Sequence, residues 1–323
     1  MSASALARPG WRKVGYRWAV LMAFCAASGL LLGALGELHP QLDLWAHFRW
    51  QYGAALICVC GMFALLRRRW ELLATLPLAA WCVVSLWPVS RPPASTGQAP
   101  LKLISVNLRA SNRDLSALLQ WLKSEQPQVL VLMELSDHHL AALAPLTADF
   151  RDQLLLPGGP FGIGVWTRLA QSELGSTELG EAGFPAITLR AGWSGHALRL
   201  IAAHPVPPLG ARLQPLRARQ IEDLEALVAT EPEATVLVGD LNATPWSADF
   251  RRLVSWGLNP GSHWPTPTWS PSDGLGWALG LPIDHVLSGS GWHIVDRRIG
   301  PPVGSDHRPL LAILVPTEPE LSD

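Results

Sequence analysis

Nineteen consecutive residues, Trp18 to Gly36, carry no charged side chain. That is close to the ~20 apolar residues with which an α-helix crosses the hydrocarbon core of a bilayer. Two comparable runs follow. Trp50 to Leu66 offers Trp50 and Tyr52 to an interface, and Trp70 to Val89 carries only Glu71 near its start and Pro77 inside. Glu71 suits the headgroup level, and proline is tolerated in a membrane helix. The pattern predicts an all-helical membrane anchor over residues 1–90, with transmembrane helices at 18–36, 50–66 and 70–89. A buried helical hairpin is the alternative. The first run also resembles a signal peptide, with Arg8, Arg12, Lys13 and Arg17 ahead of it. It is long, however, and no small-residue cleavage site follows, which favours an uncleaved helix.

Charge sets an orientation. The four N-terminal cations and the Arg67-Arg68-Arg69 cluster belong on the cytoplasmic side, since positive loops stay inside. The intervening loop, with Glu37, Asp43 and Arg49, has no positive excess. Three crossings then predict a multi-pass protein of the bacterial inner membrane with everything after residue 90 periplasmic. Loss of the second crossing would reverse that location.

Composition changes sharply near residue 100. Lys and Arg number 9 before it and 16 after, Asp and Glu 3 and 23, giving formal charges of +6 and −7. A net-acidic soluble region lacks the basic footprint that holds a phosphate backbone, which argues against a tight non-catalytic nucleic-acid binder. A metal-dependent enzyme remains open, because divalent cations invert the potential of an acidic cleft. All four cysteines, Cys25, Cys58, Cys60 and Cys82, precede residue 100. The soluble region therefore has no thiol nucleophile or thiolate zinc site, and it is compatible with an oxidising compartment.

Residues 91–100 read as a polar, proline-containing linker, 101–316 as a globular domain and 317–323 as a flexible tail. Strands are expected at Leu101 to Val106, Val129 to Met133, Gly162 to Thr167, Ala186 to Arg190, His196 to Ala203 and Thr235 to Val238. Ile283 to Leu287, Trp292 to Val295 and Leu310 to Val315 complete the series. One helix carries Leu115, Leu118, Leu119 and Leu122 behind a cap at Ser111 or Asn112, and another runs from about Leu216 to Ala229. Many strands with few helices favour a layered α/β sandwich over a regular βαβ repeat.

Polar groups gather at the ends of these strands: Asn107, Glu134, His204, Asp240, Asn242, Asp284, Asp306 and His307. A rigid sheet can aim such groups at a substrate if the ends share one rim. Glu134 offers a hard oxygen ligand suited to Mg²⁺ or Mn²⁺, or serves as a cap or surface group. Asp240, behind Val-Leu-Val-Gly, is placed to orient a water. Asn242 can donate to a phosphoryl oxygen, or close an Asx turn. His204 suits a phosphate contact, or a satisfied half-buried position. Asp306 could fix the tautomer of His307 or bind metal, and Asp284 could support that histidine, the cation or its own strand start. Both Asp306 and His307 could equally form a turn.

Other chemistries find less support. There is no G-x-S-x-G, P-loop or H-E-x-x-H pattern, and the ten histidines show no compact zinc spacing. His138 and His139 read as a solvated helix start.

Taken in order, "SVNLR", "QPQVLVLME", "RLIAAHP", "VLVGDLNATPW", "PIDHV" and "GSDHRPLLA" resemble the endonuclease/exonuclease/phosphatase (DNase I-like) superfamily over about residues 101–316. Arg219-Gln220 resembles the helix start of that family, and the anchor is similar to a membrane-anchored bacterial branch of YafD-type proteins. The resemblance implies a four-layer α/β sandwich and a divalent-metal-dependent phosphodiester hydrolase, with Mg²⁺ or possible Mn²⁺ as cofactor. It implies Glu134 as metal ligand with Asn107 and Asp306 shaping the site. Asp240 would activate water, Asn242 and His204 would hold phosphate, and Asp284 would orient His307, which stabilises charge on phosphorus. DNA or RNA is the first substrate class, ahead of a phospholipid headgroup or small phosphoester. A catalytically weak membrane-associated binding protein is the reading from another class. The bilayer is the one partner expected, and no obligate protein partner is evident.

Two departures from the family pattern bear on substrate. Leu241 stands where many relatives have phenylalanine, and His285, where several nucleases have tyrosine, could alter a pocket wall. The segment from His263 to Gly280 contains Trp264, Trp269 and Trp277 and could stack a base, touch lipid or pack beneath a long loop. Thr266 to Ser270 and Asp273-Gly274 suggest turns.

Overall fold

A computed structural model describes residues 10–87, 98–272 and 274–317 of the chain. The chain divides into two compact units, Met1–Trp87 and Pro88–Asp323. Arg8, positions 88–89 of the third expected crossing, linker positions 91–97, Asp273 and tail positions 318–323 lie outside the described residues.

In the first unit, α1 spans Trp11–Ala34, α2 is the short Pro40–Asp43, α3 spans Arg49–Leu65 and α4 spans Arg69–Leu86. Three helical stretches, Trp11–Ala34, Pro40–Leu65 and Arg69–Leu86, are long and apolar enough to cross a membrane. α1 begins seven residues before the uncharged run, taking in Arg12, Lys13 and Arg17, because no proline follows Gly10 before the helix ends. Pro77 lies inside α4 as expected. Small residues set the packing. A Cβ on Gly33 would fall 2.7 Å from the backbone nitrogen of Ala46, and one on Gly53 would fall 3.0 Å from the Cβ of Cys82. Such close approach is how helices gain dispersion contacts where lipid removes the hydrophobic drive.

The second unit carries eleven strands and four helices among the described residues. They run β1 (Leu101–Asn107), α5 (Ser116–Glu125), β2 (Val129–Met133), α6 (Asp137–Leu143), β3 (Asp152–Leu156) and β4 (Ile163–Thr167). β5 (Glu173–Leu179), β6 (Phe184–Trp193), β7 (His196–Ala202), α7 (Gly210–Thr230), β8 (Thr235–Asp240) and α8 (Ala248–Ser255) follow. β9 (Asp284–Ser288), β10 (Trp292–Ile299) and β11 (Leu310–Pro316) end the series. One sheet has the order β10-β11-β1-β2-β4-β3 and the other β5-β6-β7-β8-β9.

Alternation along the strands explains the layering. Leu101, Leu103, Val129, Val131, Leu200, Val236 and Val238 all face one shared core between the sheets. Their neighbours Ile104, Val106, Leu130 and Leu132 pack under α5 and α6, while Ile201, Leu237 and Leu287 pack under α7 and α8. Successive side chains point to opposite faces, so strands apolar on both faces must be covered on both. The result is helices, sheet, sheet, helices: the four-layer DNase I-like α/β sandwich.

Several elements differ from expectation. β3 and β5 form outer edges of their sheets and are half exposed; β3 offers only the short run Leu154 to Leu156 and β5 none. α8 buries only Phe250 and Leu253, behind a Ser247 cap whose hydroxyl accepts the Phe250 N–H. α7 starts at Gly210 rather than Leu216, because Pro215 falls near the helix start and removes a single hydrogen bond there. α5 starts at Ser116, not behind Ser111 or Asn112; Asn112 instead accepts from the Asp114 N–H and Asp114 from the Ser116 N–H. Thr317, placed in the tail by its sequence, bonds back to Gly291 and Ser290.

Topology fixes one functional rim. β1 and β2 are parallel, as are β7 and β8, while β11 and β9 run against them. Ser105 therefore sits opposite Leu310, and Asp240 opposite Asp284. The ends of β1, β2, β7 and β8 meet the starts of β9 and β11 at one edge of the sandwich.

Candidate active site

The inward-facing register of each strand runs on into a polar residue at that rim. Leu101, Leu103 and Ser105 lead to Asn107; Leu198, Leu200 and Ala202 lead to His204; Val236 and Val238 lead to Asp240; and Val286 lies two residues from Asp284. The site is thus the open end of the inter-sheet core. Asn107 bridges the two sheets, donating from Nδ2 to Glu134 Oε1 at 3.0 Å and to Asp240 Oδ2 at 3.1 Å. Asp240 Oδ2 also faces His204 Nε2 at 3.4 Å and His307 Nε2 at 3.6 Å. His307 Nδ1 is 2.8 Å from Asp284 Oδ2. Asn242 joins through its backbone, donating to Asp240 Oδ1 at 2.9 Å, while its amide nitrogen donates to the Pro205 carbonyl. Asp306 is held apart from the imidazoles, with Trp269 Nε1 donating to it at 3.2 Å and Arg109 Nε 3.9 Å away.

Burial and charge set the protonation pattern. Burial disfavours ionised Asp240, but His307, His204 and the Asn242 N–H together outweigh it and hold the carboxyl well below the usual carboxylate range. Burial disfavours charged His307 as well. Asp284 and Asp240 reverse that, and the imidazole is pushed up to about 9. At neutral pH a protonated His307 therefore sits between Asp284 and ionised Asp240, held through Nδ1 and turning Nε2 toward the rim. Such a pair can donate a hydrogen bond or a proton to an anion while the adjacent carboxylate accepts a proton from water.

Backbone geometry places these groups against local preference. Simple alternation after Met133 would point Glu134 toward α5 and α6. Its φ of 55° turns the carboxylate back to the rim, where it accepts from Asn107 and from the Ala110 N–H at 2.7 Å. Arg109 and Asn242, at φ 60° and 48°, share that left-handed region. Conformations of this kind cost of order 1 kcal/mol each and collect at functional sites. Gly239 has φ 146° and no room for a Cβ against the Ala203 carbonyl, so the glycine before Asp240 is required by close approach of β7.

Residues that position the site were missing from the sequence reading. Arg217 is buried in α7 and donates to the carbonyls of Val206 and Leu241 and to Asp249, tying together the segments after His204 and Asp240. Its signal was a charge on the apolar face shared with Gln220, Ile221 and Leu224. Thr268 Oγ1 accepts from the Ile283 and Asp284 N–H groups, which fixes the start of β9. Met133 Sδ accepts the Asp240 N–H.

Three other expectations change. His138 and His139 are not a solvated helix start: His139 is 1% exposed, and both Nε2 atoms meet the Asn112 carbonyl. His139 Nδ1 accepts the Ser136 N–H, so its proton lies on Nε2. His285 is buried rather than part of an open wall. It points away from the rim, packs on Phe250 and bonds the Ala243 carbonyl, with its pKa lowered to about 3 by burial and Arg297. Arg219-Gln220 lies mid-helix, where Gln220 accepts the Val206 N–H and Arg219 pairs with Glu222 at the surface. The tryptophans divide: Trp269 supports Asp306, Trp277 lies under Arg308, and Trp264 is 51% exposed.

The donors fit a hard divalent cation. Glu134, Asp306 and Asn107 offer only oxygen and nitrogen, and Glu134 makes no ion pair among the described residues. In the conformation described, Asn107 turns Nδ2 to Glu134, while its Oδ1 accepts the Arg109 N–H. Asp240, Asp284 and His307 also have ligand atoms within 4.8 Å of one another.

Comparison with known proteins agrees with this architecture. No curated protein sequence matches the chain. Among solved structures, D. rerio TDP2 complexed with a single-strand DNA product is 16% identical with a TM-score of 0.54, covering 67% of this chain and 99% of that one. The 3′–5′ exonuclease NExo of Neisseria meningitidis is 20% identical with a TM-score of 0.51, covering 66% and 98%. The catalytic domain of human Nocturnin with bound sulfate is 17% identical with a TM-score of 0.53, covering 68% and 95%. At these identities the likeness shows the fold alone. Residues 104–307 match the Endonuclease/Exonuclease/phosphatase family, and the chain belongs to that family.

Proposed function

We propose that the chain is a divalent-metal-dependent phosphodiester hydrolase, tethered to a bacterial inner membrane by residues 1–90 and acting through a catalytic domain at 101–316 on the periplasmic side. Nucleic acid is the first candidate substrate. One observation carries the reading: buried Asp240 between His204 and the Asp284–His307 pair, bridged by Asn107 to Glu134. A purely structural role would not repay burying these charges, because each loses hydration that an apolar pair would not have had. That argues against the weak binding protein.

Glu134 and Asp306 would hold Mg²⁺ or Mn²⁺, with Asn107 able to supply its oxygen if the amide turns over. The cation, when bound, supplies charge neutralisation for an anionic diester and its transition state. Asp240 accepts the proton of the attacking water. His307, oriented by Asp284, donates from Nε2 to a non-bridging oxygen as charge develops there. His204 and Asn242 hold the phosphate, the latter after releasing Pro205. The helices and the family domain together suit the YafD-type membrane branch.

A phospholipid or small-molecule phosphodiesterase or phosphatase is the second reading, favoured by the three helices able to cross a membrane. The test is hydrolysis by the detergent-solubilised chain of DNA, RNA, sphingomyelin, phosphoinositides and a generic diester, with Mg²⁺, Mn²⁺ or chelator. Asp240→Ala and His307→Ala should each slow turnover by about 100-fold or more. Turnover indifferent to chelator and to both substitutions would sink the proposal.

A further inference from the structure

The first unit contains a cavity of about 620 Å³ lined by Arg12, Lys13, Tyr16, Arg17, Leu66, Arg67 and Arg68. Its volume falls within the ~300–1,000 Å³ typical of small-ligand sites. Five of the seven lining residues are cations, and no acidic side chain lines it. Two separate chain segments build it: the first turns of α1 and the turn between α3 and α4. That turn is fixed by Arg67 at φ 57° and by the Arg68 N–H bonding the Phe63 carbonyl at 2.8 Å. The nearby carboxylate, Glu71, is occupied by the Tyr16 hydroxyl at 2.9 Å. Arg68 lies 4.4 Å from the centre of the Tyr16 ring, which steadies its guanidinium without neutralising it. None of the five cations makes a direct ion pair among the described residues, and Glu71, which attracts Arg68, stands outside the lining. Converging like charges repel, and a bound anion relieves that repulsion.

The surroundings identify the anion. Trp11 directly precedes Arg12 in the chain, Leu65 precedes Leu66 and Trp70 follows Arg69, and their exposures of 76%, 81% and 69% suit interfacial anchors and lipid-facing apolar side chains. A free phosphate would use the cations alone. A phospholipid uses both, with its phosphate among the arginines and its acyl chains against the leucines. We propose that this cavity is a binding site for the headgroup of an anionic phospholipid, distinct from the catalytic rim. The inference rests on the reading that the first unit lies in a membrane. Basic pockets between membrane helices bind anionic headgroups by this chemistry.

The full chain, reconstituted in mixed phosphatidylcholine–phosphatidylglycerol vesicles and then extracted, tests it by the phosphatidylglycerol that it retains over phosphatidylcholine. Preferential retention is expected, with an excess of inorganic phosphate failing to displace the lipid. Arg17→Gln/Arg68→Gln should weaken retention about 25-fold, from about fivefold per cation. Arg69→Gln, which removes an equal charge outside the cavity, should leave it unchanged, and both variants should keep wild-type thermal midpoints. A chain that does not enter the vesicles overturns the membrane reading and the lipid site with it. One that enters but shows no preference, yields its lipid to inorganic phosphate, or responds equally to Arg69→Gln overturns the lipid site alone. None of these outcomes depends on catalysis, so failure of the hydrolase reading is read separately.

Discussion

Single residues in this protein are held in states that water would not choose, and each leaves a measurable trace. His285 is buried neutral, with a pKa lowered to about 3 from an ordinary 6.5. Above pH 6.5 the histidine is neutral whether folded or unfolded and contributes no pH dependence. Below it the unfolded chain takes up a proton that the fold refuses, so stability falls as pH drops from 6.5 toward 3. The loss should reach about 2 kcal/mol by pH 5. His285→Gln should remove that share of the difference between thermal midpoints of the detergent-solubilised chain at pH 7.5 and 5, leaving the share of His263, whose pKa burial lowers to about 4. Glu134 stores strain of another kind, its left-handed backbone being the means by which its carboxylate reaches the rim. Glu134→Gly and Glu134→Ala both delete the carboxylate and should be equally inactive. The glycine variant should nonetheless be the more stable by about 1 kcal/mol, because alanine keeps the left-handed strain. Equal midpoints for the two would show that the backbone there is unstrained.

Elements show why part of the fold was legible in the sequence and part was not. Val129 to Met133 and Thr235 to Val238 are apolar on both faces because both faces are covered, and a continuous apolar run announces a central strand. β3 and β5 are edges with little to bury, so no periodicity marked them. The polar groups ending β1, β7, β8 and β9 could be listed from the sequence, yet their convergence depends on parallel and antiparallel pairings among strands far apart in the chain. Glu134 was visible as an acid at a strand end, but alternation points it the wrong way. Its direction comes from one φ angle that no pattern encodes. His139 looked solvated because its burial depends on the carbonyl of Asn112, 27 positions away. Arg217 was hidden within an amphipathic helix although it ties α7 to α8 and to the loops behind His204 and Asp240. Replacing it with methionine keeps the apolar stem while leaving Asp249 and two carbonyls without their donor. Arg217→Met should cost about 3 kcal/mol of stability and lower turnover, read as a reduced thermal midpoint and a reduced rate below it. A midpoint within measurement error of wild type would remove Arg217 from the positioning set.

The whole molecule combines a cysteine-free second unit with four cysteines confined to the first, which makes its orientation directly testable. With Cys25, Cys58, Cys60 and Cys82 changed to serine and a single cysteine placed at exposed position 301, a membrane-impermeant maleimide should label intact spheroplasts. Labelling only after lysis would put the catalytic unit in the cytoplasm. The arrangement of the two sheets carries a further consequence. Asn107 and Glu134 come from one sheet and His204, Asp240 and Asp284 from the other, while His307 stands just before β11, which pairs with β1. The first sheet is therefore closed by strands from both ends of the catalytic unit. A nascent chain halted before residue 310 has Asp240 and Asp284 but no completed first sheet to set His307 between them. The proposed hydrolysis should thus begin only when synthesis has delivered the last strand, so a half-made chain holds most of the rim's polar groups without yet being able to cut a phosphodiester.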